Sequence, residues 1–261
     1  MEKKMNIISK ALLPLFLTFS IHLLADDHIP QNPVFVPLEI QQCNFKDNKD
    51  MDDFMSHIDE WNNFLDKHSE HPYSGWVLSP HYRTASDYSF DFGWLGVSDS
   101  WSNYGKIYDA WLSDAGKLGA KFDKVRSCET QTLFAATAIR SAQITSETGT
   151  GVLLVSNCQL NEGSTLMDLA EADAKWNNYL DSIDNKGGIY RWFPGLGAAS
   201  NIDYSFKNVL VSSSMSEWGE GSDTFVNGGG LQTQTAIYGN IVSCDSARMY
   251  QSQNVRYVGG L

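Results

Sequence analysis

Cysteine is scarce and never closely spaced: four occur in 261 residues, and no two stand as Cys-x-x-Cys, which excludes a zinc ribbon and a thioredoxin-type dithiol. No Gly-x-Ser-x-Gly elbow is present. The clusters Gly219-Glu220-Gly221 and Gly228-Gly229-Gly230 do not follow a strand as a nucleotide-binding loop must, so they read as turns. Histidine stops at His81. The pair in His68-Ser69-Glu70-His71 has no second ligand cluster at fixed spacing, so a solvated loop is expected there and no metal. Positive charge is short, with 19 Lys and Arg against 31 Asp and Glu and a net charge of −12. A surface of that sign repels phosphate backbones and lipid phosphates, which argues against nucleic acid as a partner and makes a neutral or cationic ligand easier to reach. Its plainest service is to keep the chain soluble.

Long apolar runs are missing too. Glu2-Lys3-Lys4 and Lys10 precede an uncharged run over 11–24, closed by Ala25 before Asp26-Asp27. The run is short for a membrane span, and the charged start, apolar middle and small residue are those of a secretory signal. Residues 1–25 are therefore expected to be a signal peptide and 26–33 a linker, with export to the periplasm or beyond and no stable membrane anchor. Loss of three lysines and one glutamate takes the net charge from −12 to −14.

What is present is a duplication. Glu60-Trp61-Asn62-Asn63-Phe64-Leu65-Asp66 returns as Lys175-Trp176-Asn177-Asn178-Tyr179-Leu180-Asp181. Cys43 returns as Cys158, Asp87-Tyr88-Ser89-Phe90 as Asp203-Tyr204-Ser205-Phe206, Cys128 as Cys244 and Arg140 as Arg256, all 115 or 116 residues later. Two copies of one unit are implied, over 34–140 and 151–261 with a linker at 141–150, folding as a monomer with internal pseudo-twofold symmetry.

Each copy begins with a strand (34–43; 151–158) and a helix carrying Met51, Phe54, Ile58, Trp61 and Leu65, or Leu166, Leu169, Trp176 and Leu180. A short aromatic strand (75–80; 189–194) and a longer one (88–97; 204–213) follow. A weaker helical stretch and a last strand (122–128; 237–244) complete the order β-α-β-β-α-β, the split βαβ unit of the ferredoxin-like fold. In that topology the first and fourth strands are antiparallel neighbours, and four cysteines in an exported chain favour disulfides. Cys43 is expected to pair with Cys128 and Cys158 with Cys244.

A tandem of two such units, each with a tryptophan-bearing first helix, resembles the dimeric α/β-barrel superfamily that includes antibiotic biosynthesis monooxygenase-like domains. The resemblance implies an α+β fold in which two ferredoxin-like repeats form a pseudo-dimeric α/β barrel, with helices outside and an interior that can hold a ligand. Cys158-Gln159-Leu160-Asn161-Glu162-Gly163 ahead of a Trp-bearing helix is also similar to a group of exported marine bacterial proteins, a pattern from which Cys43-Asn44-Phe45-Lys46-Asp47-Asn48 departs. Neither resemblance transfers an activity or requires a cofactor.

The expected function is binding of a small planar or apolar molecule between the repeats. Trp76, Trp94, Tyr190 and Trp192 are candidates for the apolar lining, and His81 and Arg191 for polar groups that orient a ligand. Asp91 aligns with Lys207 at an offset of 116; if that strand face looks inward, an acid and a base share the cavity. The other face, with Phe90, Phe92 and Trp94, fits the lining equally well, and a one-residue shift exchanges the two. The Trp-Asn-Asn motifs read as core packing with hydrogen bonds to a neighbouring loop, and Arg140 and Arg256 as ties on the chain ends. Two alternatives stand beside the binding protein. One is a monooxygenase-like enzyme, cofactor-independent or haem-using; the other is an interaction module whose barrel is filled by side chains.

Overall fold

The computed structural model describes residues 33–84, 89–143 and 149–258. The leader expected at 1–25 lies outside them, as do Asp87 and Tyr88 of the repeated Asp-Tyr-Ser-Phe motif. β1 (Val36–Phe45) lies between β4 (Arg126–Arg140) and β3 (Phe92–Ser98), and β3 pairs with β2 (Tyr73–Tyr82). The second repeat does the same. Its β5 (Thr150–Leu160) lies between β9 (Arg248–Arg256) and β7 (Phe206–Ser212), and β7 pairs with β6 (Gly188–Pro194). Two seams, β2 with β9 and β4 with β6, close the eight strands into an antiparallel barrel, with a short β8 (Val242–Cys244) hooked onto the end of β5. The fold is thus the pseudo-dimeric α/β barrel. Cys43 is bonded to Cys128 and Cys158 to Cys244, each pair directly across its β1–β4 or β5–β8 ladder.

The helices cover the outside of the barrel. In the first repeat α1 (Met51–Met55) starts on a capping box between Asp50 and Asp53, and α2 (Ile58–Asp66) follows after a break at Ser56-His57. The equivalent α5 (Leu166–Ser182) runs unbroken from its own box, Thr165 with Asp168. One helical stretch is expected later in each repeat, yet two are found: α3 (Trp101–Asp114) and α4 (Gly116–Val125), then α6 (Met215–Asn227) and α7 (Gly230–Tyr238). Gly229, at φ 86°, makes the left-handed turn between the last two, where a side chain would be strained. The last strand also differs from expectation. Leu118, Phe122 and Val125 lie on one buried face of α4, and the strand begins only at Arg126, taking in the whole apolar tail to Arg140.

Alternation along the strands sorts the side chains into layers. Leu38, Leu95, Phe134, Ala136, Leu153, Trp192 and Val209 meet inside the barrel and fill its middle. Phe54, Trp61, Phe92, Trp94 and Phe122 form a separate core between the first repeat's sheet and its helices. Leu169 with Phe206, and Trp176 with Leu180 and Ile189, do the same in the second repeat.

The duplicated motifs fasten the seams. Asn62 donates from Nδ2 to the Val255 carbonyl and Arg256 pairs with Asp66 at 2.7 Å; reciprocally, Asn177 donates to the Ile139 carbonyl and Arg140 pairs with Asp181 at 2.6 Å. The repeated Trp-Asn-Asn helix of each half therefore grips the last strand of the other half rather than a nearby loop.

Candidate functional site

Because every pairing is antiparallel and the repeats are joined edge to edge, equivalent strand ends open at the same end of the barrel. At the disulfide end the apolar filling stops and leaves a cavity of about 430 Å³. Ile40, Leu78, Phe90, Phe134, Trp192 and Tyr250 form its walls, drawn from both repeats, and Thr130, Gln131 and Thr132 of β4 line one edge. Phe90 stacks parallel to Tyr250 at 6.3 Å, and Phe134 lies 6.1 Å from Trp192.

Two cations face this space, both from the second repeat. Lys207 Nζ donates to Asn157 Oδ1 at 2.6 Å and sits 4.3 Å above the Tyr204 ring. Burial, then the neighbouring Arg248, pushes the Lys207 amine down to about 8. Arg248 is held by Asp245 at 2.6 Å.

The strand registers revise the alignment of the repeats at this point. Cys43 lies opposite Phe92 and Cys158 opposite Phe206, so β3 and β7 correspond at an offset of 114, not 116. Asp91 therefore matches Ser205. Asp91 Oδ2 accepts from the Phe45 amide at 2.8 Å, and Ser205 Oγ accepts from the equivalent Leu160 amide at 3.3 Å. Asp91 is exposed and off the cavity wall. Lys207 instead matches Gly93, which lines the same cavity without a side chain.

The other candidates are scattered. Trp192 is on the cavity wall, while Trp76 and Tyr190 point into the opposite end of the barrel, Trp76 edge-on to Tyr257 at 6.2 Å and Tyr190 accepting from the Ala142 amide. His81 is exposed beside Tyr82, over a shallow groove of about 230 Å³. Trp94 faces outward beneath α2, 4.9 Å from Trp61. Arg191 also faces outward: it pairs with Asp173 of α5, both are buried, and Tyr238 donates to the same carboxylate at 2.7 Å. Sequence reasoning did not single out Arg248, Gly93 or Phe134; counting from the second cysteine of each repeat, which sets Arg248 against Thr132 and Tyr250 against Phe134, is the signal that points to the first and last, while Gly93 emerges only from the strand register.

A second cavity, about 250 Å³, lies between the first repeat's sheet and its helices. There Tyr73 and Tyr104 both donate to Glu39, Trp94 Nε1 donates to the Tyr73 hydroxyl at 3.1 Å, and Gln41 Oε1 and Arg126 Nε are buried without partners. Burial and the adjacent Glu39 hold both tyrosine hydroxyls well above their usual range.

No protein-family profile matches the chain, and no curated protein matches it in sequence. Among solved structures, a proposed monooxygenase from Fusobacterium nucleatum superposes with a TM-score of 0.52 at 11% identity, covering 87% of this chain and 97% of that one. A dye-decolorizing peroxidase from Bacteroides thetaiotaomicron gives 0.51 at 9%, with 88% and 97% covered. A heme-binding protein from Thermus thermophilus gives 0.50 at 5%, with 87% and 94% covered. At such identities the likeness is one of fold, and the class it defines is the dimeric α/β barrel, here closed by a single chain.

Haem fits the residues poorly. Among the described residues no histidine, methionine or free cysteine lines the barrel cavity or the helix–sheet cavity, and these side chains hold haem iron in most haem proteins. Tyrosinate is the other common ligand; in the helix–sheet cavity the Tyr73 and Tyr104 hydroxyls both donate to Glu39, and in the barrel cavity Tyr204 lies under Lys207 and Tyr250 stacks on Phe90. Among the described residues no three His, Cys, Asp or Glu side chains gather as a metal site.

Proposed function

We propose that this is an exported binding protein that holds a small planar or apolar molecule in the barrel mouth, between the two repeats. The observation that carries the reading is the cavity of about 430 Å³ walled by aromatic side chains of both halves. The two disulfides suit an oxidising compartment, and no helix among the described residues is long and apolar enough to cross a membrane. Mass spectrometry of the protein purified under native conditions is expected to find a copurifying planar molecule. Val155→Phe, which fills the cavity from β5, is expected to lose it while the circular dichroism stays unchanged. Retention of the ligand by that variant would refute the location.

A second reading is an oxygen-using enzyme, and the unpartnered Gln41 Oε1 and Arg126 Nε beside Glu39 favour the helix–sheet cavity for it. Oxygen uptake with a phenolic substrate, abolished by Glu39→Gln and indifferent to Val155→Phe, would support that reading over the first.

A further inference from the structure

Two places in the lining of the barrel mouth carry a cation in the second repeat alone. Where the first repeat has Gly93 and Thr132, the second has Lys207 and Arg248, so both added cations stand on the same side of a cavity that five aromatic side chains, Phe90, Phe134, Trp192, Tyr204 and Tyr250, line together with aliphatic and polar ones. Lys207 is half-buried, yet among the described residues no carboxylate lies within ion-pairing distance of it and its one hydrogen-bond partner is the neutral Asn157 amide oxygen. A half-buried ammonium of this kind is costly unless something anionic reaches it. From this placement we propose that the barrel mouth takes a planar aromatic carboxylate, with its ring among the aromatic walls and its carboxylate against Lys207 and Arg248. The inference rests on the cavity reading above and adds the ligand's charge.

The surrounding charges leave that role to Lys207. Asp245 is committed to Arg248, Asp203 lies on the loop before β7 and acts on Lys207 only at longer range, Glu129 is at the β4 rim, and Arg83 is stacked on Phe90 at 5.8 Å. Tyr204 and Tyr250 are the other titratable groups among the described residues of the lining. The whole chain is acidic, so an ammonium inside the mouth without a carboxylate of its own would select an anion that the outer surface repels.

Calorimetric titration of the full mature chain with 1-naphthoate and its neutral isostere 1-naphthamide tests this. Near neutral pH the carboxylate is expected to bind at least about tenfold more tightly than the amide. Lys207→Met is expected to lower naphthoate affinity at least about tenfold relative to naphthamide, so that the preference is lost, and Lys207→Arg to keep it. Because the lysine sheds its proton near pH 8, naphthoate affinity in the wild type is expected to fall as pH rises through that value and to stay level in Lys207→Arg. Equal binding of the two probes, or a preference that survives Lys207→Met, would overturn the proposal while leaving the cavity reading intact. Failure of both probes to bind the folded wild type would instead overturn the cavity reading itself.

Discussion

The ion pair between Arg191 and Asp173 shows how one fold can accept opposite chemistry at equivalent places. In the first repeat the corresponding residues are Val77 and Ile58, both buried and apolar; in the second a guanidinium and a carboxylate occupy the same space between strand and helix, with the Tyr238 hydroxyl on the same carboxylate. Breaking such a pair from one side strands a charge, so Asp173→Asn is expected to cost about 3–5 kcal/mol in urea unfolding. Restoring the first repeat's solution, with Asp173→Ile, Arg191→Val and Tyr238→Phe together, is expected to recover most of that loss, because no buried polar group is then left alone. A triple variant no more stable than Asp173→Asn would show that the pair is needed for packing rather than merely tolerated. Nothing in the sequence around Arg191 marks it as outward-facing. Its flanking Tyr190 and Trp192 suggest a ligand clamp, and only the register with β4 shows that they look inward while it does not.

At the scale of elements, much was legible and the rest was hidden for a definable reason. The duplication, the outline of the element order and both disulfides could be read from repeated spacing, apolar periodicity and the expected export, because a strand, a cap and a cysteine leave local marks. Strand parity could not. β3 reads Phe-Gly-Trp-Leu-Gly-Val-Ser and every residue in it is buried, since helices cover its outer face and the barrel filling its inner one; a strand buried on both sides loses the alternation that would reveal its orientation. The same blindness misplaced the Asp-Tyr-Ser-Phe motif by two residues, since its second copy starts β7 at the phenylalanine and its first does not. Helix motifs were informative about position but silent about partners: the Asn of each Trp-Asn-Asn reaches a backbone carbonyl of the other repeat. Asn177→Ala leaves the Ile139 carbonyl unpaired in a buried seam and is expected to cost about 1–3 kcal/mol. Hydrogen exchange should show the loss as faster opening along β4 and β6, with β2 and β9 unchanged.

For the molecule as a whole, the disulfides close loops of 85 and 86 residues, the first joining β1 to β4 and the second β5 to β8, both at the barrel mouth. By loop-closure entropy each contributes about 4–5 kcal/mol, so Cys43→Ala with Cys128→Ala is expected to lower stability by that order while leaving the other bridge in place. Unchanged denaturant midpoints would mean that the seams, not the bridges, hold the mouth together. The seams themselves are built to be interchangeable. Asp66 and Asp181, like Arg140 and Arg256, are the same residues at the same places, so either repeat could fasten to a second copy of itself. A dimer assembled that way would have to present every side chain at its central opening twice. A lysine there would face its own image, two like charges across a narrow, poorly hydrated space, and a ligand would meet a surface that looks the same after half a turn. Joining the two copies in one chain removes that obligation. One half can keep a glycine where the other extends an amine, and a molecule with a charged end and an uncharged end finds only one way to enter.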